Sequence, residues 1–176
     1  MLERVITKRE AVSFVTLLDT ELVCYKHYIC WADEIILSEN KPPFWILDLA
    51  VTRSKEAAID CLNTYAYSEP FERFDAEKCN DEFVAAQWLR YEMNKISWAE
   101  FLLECGDYTD GNYAREDCEY FYYMLNDIEN SKYPKRLEKK QSSQVLKRFS
   151  DIIHEINDKY HEFLPYLEKF KKTYGV

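Results

Sequence analysis

Residues 97–131 concentrate the two side-chain types of this chain that are best suited to gripping a basic partner, carboxylates and tyrosines. The segment holds nine carboxylates against a single basic residue, Arg115. Tyrosine buries a large rigid surface at low entropic cost, and carboxylates steer the encounter with a cationic partner. The predicted partner-binding residues are Glu104, Asp107, Tyr108, Asp110, Tyr113, Glu116, Asp117, Glu119, Tyr120 and Tyr123. The same composition is also typical of an acidic helix whose tyrosines face the core.

Three side chains near the C-terminus have the spacing of a metal-binding helix face. His154, Asp158 and His161 lie at positions i, i+4 and i+7, and imidazole with carboxylate at that spacing suits a transition metal. The order differs from the HExxH motif, and no fourth ligand is evident. The polar face of an amphipathic helix is the favoured interpretation, so we expect no metal ion and no cofactor.

The segment 107–112 contains carboxylates but does not match a calcium-binding loop. Asp107, Asp110 and Asn112 depart from the DxDxDG spacing, and no glutamate stands at the twelfth position. The sequence DYTDGN is typical of a turn.

No catalytic motif is evident elsewhere. His27 lies between Cys24 and Cys30, but a nucleophilic pair requires a geometry that sequence does not supply. There is no phosphate-binding glycine loop, GxSxG motif or dinucleotide fingerprint. Asp48 interrupts an apolar run and must be paired, cap a helix or line a cleft. We therefore expect a protein that is not an enzyme, with a hydrolase or metalloenzyme built around Asp48 or the His154–His161 face as an alternative.

The charge distribution restricts the class of partner. The net charge is −9, and residues 1–131 carry 26 acidic and 12 basic residues, whereas residues 132–176 carry 6 and 11. An acidic body is repelled by nucleic-acid phosphates and by anionic membrane surfaces. The sequence therefore predicts a basic protein partner, with no direct binding to nucleic acid or membrane, and leaves the oligomeric state open.

Cysteine usage and hydropathy indicate a cytoplasmic protein. The six cysteines form no CxxC pair, and the N-terminus MLERVITKRE lacks the apolar region of a secretory signal. The most apolar run, residues 44–51, is too short to span a bilayer. We expect free thiols and a cytoplasmic location.

The elements that must position these residues are predicted to be helices. With only three glycines and five prolines, the chain favours long helices joined by short loops. Apolar residues at helical spacing predict helices over residues 7–26, 29–38, 55–67, 113–130 and 145–167. Further helices follow Pro43, Asn80 or Asp81, and Ser97, and the residues after Pro43 are expected to be buried. We predict an all-α, single-domain bundle of seven to eight helices over residues 1–176, with an acidic body (1–131) and a basic linker and long C-terminal helix (132–176).

Several local signals refine the helix boundaries. Thr7 with Glu10 and Ser97 with Glu100 read as capping boxes, and Ser54 reads as an N-cap. Gly106 fits a C-terminal glycine stop. Pro165 predicts a kink or a break in the last helix.

The acidic segment resembles bacterial toxin-immunity proteins over about a fifth of the chain. The resemblance is carried by Glu116, Asp117, Glu119, Tyr122 and Tyr123 on one helix, preceded by Asp107 and Asp110. Nuclease-type immunity proteins similarly present adjacent tyrosines among carboxylates on a helical scaffold. The resemblance implies an inhibitor that neutralises a basic toxin through residues 104–129. The alternative from another class is an adaptor that self-associates through residues 145–176.

Overall fold

A computed structural model describes residues 6–175, and these residues form eight helices and no strand. The predicted all-α class is therefore confirmed. The helices are α1 (Lys8–Asp19), α2 (Tyr25–Ser38), α3 (Phe44–Val51), α4 (Lys55–Ala66), α5 (Ala76–Glu92), α6 (Trp98–Thr109), α7 (Cys118–Asn130) and α8 (Lys135–Tyr174). Within the described chain, no helix combines the length and the apolar character that crossing a membrane requires.

The helices group into two compact units. The first unit comprises α1–α4 and the part of α8 from Asp158 onward. The second unit comprises α5–α7 and the part of α8 up to Asn157. This grouping differs from the charge boundary near residue 131, because the C-terminal helix contributes to both units.

The core of the first unit is a cluster of aromatic rings. Phe14 of α1 meets Trp31 of α2 edge-on with ring centroids 5.7 Å apart. The ring centroid of Phe163 in α8 lies 4.6 Å from that of Phe14. All three side chains are buried. Helices α1 and α4 pack together, as do α2 and α3. Because aromatic side chains bury large apolar areas, this cluster supplies much of the hydrophobic stabilisation of the unit.

Helix α1 is shorter than predicted. The capping box of Thr7 and Glu10 is present, but the helix ends at Asp19 rather than near Lys26. Glu21 has φ = 60°, which breaks the helical path, and a new helix begins at Tyr25. The apolar stripe continues through Leu22 because that side chain remains buried after the turn.

The helix predicted after Pro43 is present, but the prediction that it is buried is wrong for most of its side chains. Only Ile46 and Leu49 of α3 are buried, whereas Phe44 is 85% and Val51 is 81% exposed. Asp48 is exposed, so solvent hydrates its carboxylate and no partner is required. One apolar face of an eight-residue helix is enough to attach it to the unit.

The core of the second unit is built from α5, α6, α7 and α8. Trp98 and Phe101 of α6 stack with centroids 4.8 Å apart, and Phe121 of α7 lies 6.3 Å from Phe149 of α8. The indole of Trp98 donates to Oε1 of the buried Gln141 at 2.8 Å. This polar contact satisfies an indole that would otherwise be costly to bury.

Helix α5 begins earlier than predicted. Asp75 caps it by accepting from the backbone N–H of Lys78 at 3.2 Å, so neither Asn80 nor Asp81 is the N-cap. Asp81 instead lies within the helix and is 1% exposed.

Helix α8 runs for 40 residues through Pro165, so of the two predicted effects of this proline, a kink or a break, the break is wrong. Lys132 and Tyr133, which lie between α7 and α8, have positive φ and separate the two helices. The basic run 135–140 forms the first turns of the helix.

Candidate partner-binding surface

The acidic segment is carried by α6, the connection 110–117 and α7 of the second unit. Ser97 and Glu100 form the predicted capping box at the start of α6. The carboxylate of Asp117 caps α7 by accepting from the backbone N–H of Tyr120 at 3.2 Å. Acidic residues in the first turn of a helix also complement its dipole, which accounts for part of the local negative charge.

Gly106 does not end α6, contrary to the prediction. The helix continues to Thr109, and Gly106 is buried beneath the ring of Tyr122 from α7. A Cβ at this position would lie 2.5 Å from Cε1 of Tyr122. The hydroxyl of Tyr122 donates to Oδ1 of Asp107 at 2.7 Å, and this hydrogen bond is the main reason that the pKa of Tyr122 rises to about 12. The glycine thus permits the close approach of α6 and α7.

Arg115, the single base of the acidic segment, fastens the connection 110–117 to two helices. Its Nε donates to Oδ2 of Asp81 at 2.6 Å, and its backbone N–H donates to Oδ1 at 3.0 Å. The other two guanidinium nitrogens donate to both oxygens of Asp151 at 2.8 and 3.0 Å. The guanidinium also lies 5.2 Å above the ring of Phe149. These contacts make Arg115 a structural anchor.

The two carboxylates that hold Arg115 respond differently to their surroundings. Burial raises the pKa of Asp81, although the bonds from Arg115 oppose the shift. The hydrogen bonds from Arg115 lower the pKa of the exposed Asp151. Because a buried carboxylate is stable only while it is paired, Asp81 depends on Arg115 for its charge.

Beside this anchor the connection forms a concave acidic groove. The acidic groove has a volume of about 510 Å³ and is lined by Glu77 and by residues 109–117. Four of the predicted binding residues line it, namely Asp110, Tyr113, Glu116 and Asp117. Tyr113 is 72% exposed, and its hydrogen bond to Glu77 is the main cause of its raised pKa. The carboxylates of Asp110 and Asp117 are exposed at the groove.

Three other predicted residues are exposed outside the groove. Asp107 holds the hydroxyl of Tyr122, as described above, and its side chain faces solvent. Glu119 and Tyr123 lie one turn apart on α7, and Tyr123 is 70% exposed.

The remaining predicted residues are engaged within the second unit. Glu104 pairs with Arg90 at 3.1 Å, and Glu116 pairs with Arg148 although it also lines the groove. Tyr108 stacks on Phe83 with ring centroids 3.8 Å apart.

Tyr120 is also partly withdrawn from the surface. It is half-buried, and its ring meets Phe121 edge-on at 5.1 Å. Its outer part lines a separate depression of about 430 Å³ together with the basic side chains Lys147 and Arg148. Tyr120 therefore belongs to a basic surface rather than to the acidic groove.

The residues of the alternative metal site are not brought together in the part of the chain that the structure describes. No group of three or more His, Cys, Asp or Glu side chains among residues 6–175 is placed to hold a metal ion. His154, Asp158 and His161 are exposed on α8, and Asp48 is exposed on α3.

Sequence reasoning missed the participation of Glu77 and the anchoring pair of Asp81 with Arg115. Glu77 precedes the groove by more than thirty residues, so no local spacing links it to Tyr113. A lone arginine among nine carboxylates was the one available signal, because a single cation in such a segment is expected to be paired.

Comparison with protein families, curated proteins and solved structures finds no match to this chain.

Proposed function

We propose that this chain is a non-catalytic binding protein that neutralises a basic protein partner, as an inhibitor or immunity protein does for a toxin. The acidic groove receives a lysine or arginine side chain of the partner. The exposed residues Glu119 and Tyr123 extend the contact surface beyond the groove.

The observation that carries the proposal is a concave arrangement of carboxylates around an exposed tyrosine, in which Asp110 and Asp117 are exposed and Glu77 is half-buried. Glu77, Asp110 and Asp117 line one depression of about 510 Å³, with Tyr113 among them. The only cation of its lining, Arg115, is committed to Asp81 and Asp151. A depression with unneutralised carboxylates attracts a cationic group and contacts it from several sides. Tyrosine at such a position supplies rigid contact area of the kind that dominates binding energies.

Quantitative capture from a lysate of the native host tests the proposal. The bait is the wild-type chain or the Asp110→Asn/Asp117→Asn variant, and the captured proteins are identified by mass spectrometry. Asparagine is as good an N-cap as aspartate, so α7 retains its first turn. We expect a basic protein whose affinity falls about tenfold in the variant, corresponding to two charge contacts of about 0.7 kcal/mol each. The affinity of the wild type should also fall as salt concentration rises.

The matched control removes the same charge from the first unit. The Asp19→Asn/Asp60→Asn variant changes two exposed carboxylates remote in sequence from the groove, and it should bind as the wild type does. Equal loss of binding in both variants would show that net charge, and not the acidic groove, causes the effect. Capture of no basic protein, or binding that is indifferent to salt, would contradict the proposal.

The exposed face of α3 favours a second candidate function, self-association. Phe44, Leu47 and Val51 lie at i, i+3 and i+7 on one face and are 85%, 37% and 81% exposed. A narrow apolar stripe of this kind pairs well with the same stripe of a second copy. By contrast, the apolar stripe of α8, which the sequence analysis gave as the alternative surface for self-association, is largely buried. Its buried residues include Val145, Phe149 and Phe163. Light scattering should detect a dimer that Phe44→Asp converts to a monomer, and a monomeric wild type at all concentrations would exclude this candidate.

A further inference from the structure

A cavity in the first unit lies where the chain passes from α1 to α2. It has a volume of about 500 Å³, and its lining includes Cys24, Tyr25, Arg53, Lys55 and Glu56. The acidic groove belongs to the other unit, so the cavity is independent of the function proposed above. It is of a size that accommodates a small organic molecule.

Cys24 and His27 form a nucleophile–imidazole pair at this cavity. Sγ of Cys24 lies 3.4 Å from Nδ1 of His27. The same Nδ1 accepts the backbone N–H of Cys24 at 3.1 Å, which makes Nδ1 the unprotonated nitrogen of the neutral ring. An unprotonated imidazole nitrogen at this distance is placed to take the thiol proton. The sequence places these residues three apart at the start of a helix, and the fold supplies the geometry that spacing alone lacks.

Cys24 also differs from the other five cysteines in access. It is the exposed one, whereas Cys30 and Cys105 are buried and Cys61, Cys79 and Cys118 are partly covered. Burial raises the pKa of Cys30, Cys61 and Cys105, so these thiols form the reactive thiolate less readily. The cavity therefore presents one accessible thiol.

The charges that line the cavity indicate the kind of molecule it accepts. Lys55 pairs with Glu21 at 3.2 Å, and Ser54 donates to the carboxylate of Glu56 at 2.8 Å. Arg53 lies 5.9 Å from the ring of Tyr25, and no carboxylate within the described residues forms an ion pair with it. A guanidinium in this situation is available to bind a carboxylate of a ligand.

The geometry points to Cys24 as a site of reversible thiol–disulfide exchange with a low-molecular-weight disulfide that bears a carboxylate, which Arg53 binds. The thiol proton passes to the lone pair of Nδ1 of His27, which gives up its hydrogen bond from the backbone N–H of Cys24, and Sγ forms a bond to one sulfur of the disulfide. The sulfur–sulfur bond of the reagent breaks, and its second half leaves as a thiolate that takes up the proton. Cys24 is oxidised to a mixed disulfide, the reagent is reduced to one thiol, and an excess of small thiol reverses the reaction.

The test compares two disulfide probes on the native full chain. The dianionic probe is 5,5′-dithiobis(2-nitrobenzoate), and the neutral probe is 4,4′-dithiodipyridine. We expect one thiol to react in a fast phase with each probe, and peptide mapping should assign it to Cys24. Cys24→Ser should abolish the fast phase while serine keeps the helix capped. Arg53→Gln should slow the dianionic probe about threefold relative to the neutral one, as expected for one charge near the surface.

Two further variants separate chemistry from folding. His27→Gln retains an acceptor for the backbone N–H of Cys24, as glutamine does in capping boxes, and it should slow both probes about tenfold or more. Arg73→Gln removes an exposed arginine of the same unit and should leave both rates unchanged. A fast thiol at another cysteine, or no fast thiol at all, would overturn the site. Equal slowing of the two probes by Arg53→Gln would overturn the carboxylate assignment.

Discussion

At the scale of single residues, the acidic surface depends on one buried ion pair. Arg115 contacts the 1%-exposed Asp81 through both its side chain and its backbone, and it holds Asp151 through two hydrogen bonds. The connection that shapes the groove is therefore held to α5 and α8 by a residue that takes no direct part in attracting a cation. Removal of the guanidinium would leave the buried carboxylate of Asp81 without a countercharge, with only the backbone N–H of residue 115 as a donor, and an uncompensated buried charge is among the largest single-residue penalties known in folded proteins.

Replacing Arg115 with methionine is expected to lower the free energy of unfolding by about 3–5 kcal/mol at neutral pH. Urea denaturation measures this loss. The Arg136→Met variant, which removes an exposed arginine from α8, should change the free energy by less than about 0.5 kcal/mol. A comparable loss in both variants would contradict the anchoring role of Arg115.

The loss should also depend on pH. Without the guanidinium of Arg115, the side-chain hydrogen bond and the positive charge that oppose the effect of burial disappear, so the folded-state pKa of Asp81 rises further above its unfolded value. The folded variant then binds a proton more tightly than the unfolded chain, and its stability increases as the pH is lowered from 7 toward 5. In the wild type the pKa of Asp151 is lowered, so its contribution is present above the unfolded pKa and is lost as the pH falls through the folded value. The difference between variant and wild type should therefore shrink on acidification.

At the scale of helices, contacts distant in sequence override local signals. The caps of α1, α4 and α6 were predictable because Thr7, Ser54 and Ser97 satisfy amides three residues away. Gly106 was misread as a helix stop because its role depends on Tyr122, a residue of another helix. Asp81 was misread as a cap for the same reason, since Arg115 lies 34 residues away. The exposure of α3 was unpredictable because apolar residues occupy nearly every face of the helix, so the sequence pattern does not indicate which face is buried.

Gly106→Ala provides a direct test of the packing between α6 and α7. Alanine is favoured over glycine within a helix by about 1 kcal/mol, but the added methyl group collides with the ring of Tyr122. We expect a net loss of about 1–3 kcal/mol in unfolding free energy, as for other overpacked positions. In a Tyr122→Leu background, Gly106→Ala should cause little further loss of unfolding free energy. In contrast, Gly111→Ala meets no atom within 4 Å and should be nearly neutral, so a neutral Gly106→Ala would contradict the close contact.

At the scale of the whole molecule, the long C-terminal helix belongs to both compact units. Its buried residues include Phe149 and Ile152 in the second unit and Phe163 and Phe170 in the first. The all-α class was predictable from composition and periodicity. The division into units was not, because the charge boundary near residue 131 does not coincide with a packing boundary.

Truncation after residue 144 should therefore abolish cooperative folding rather than release a folded acidic body. The deletion removes buried apolar side chains from each unit, including Phe149 and Phe163. The remaining core residues of both units are then exposed to water, which lowers the free energy of unfolding. Circular dichroism should show a broad, non-cooperative thermal transition for the truncated chain. A sharp transition at the temperature of the wild type would show instead that residues 1–131 fold without the helix.

The central claim is that the acidic groove binds a cationic side chain, and an NMR titration tests it most directly. Arginine amide serves as the probe, and citrulline amide serves as its neutral isostere. We predict that arginine amide shifts the backbone resonances of residues 109–117, that citrulline amide does not, and that Asp110→Asn/Asp117→Asn removes the response. Shifts spread evenly over the acidic surface, or shifts of equal size with both probes, would contradict the claim.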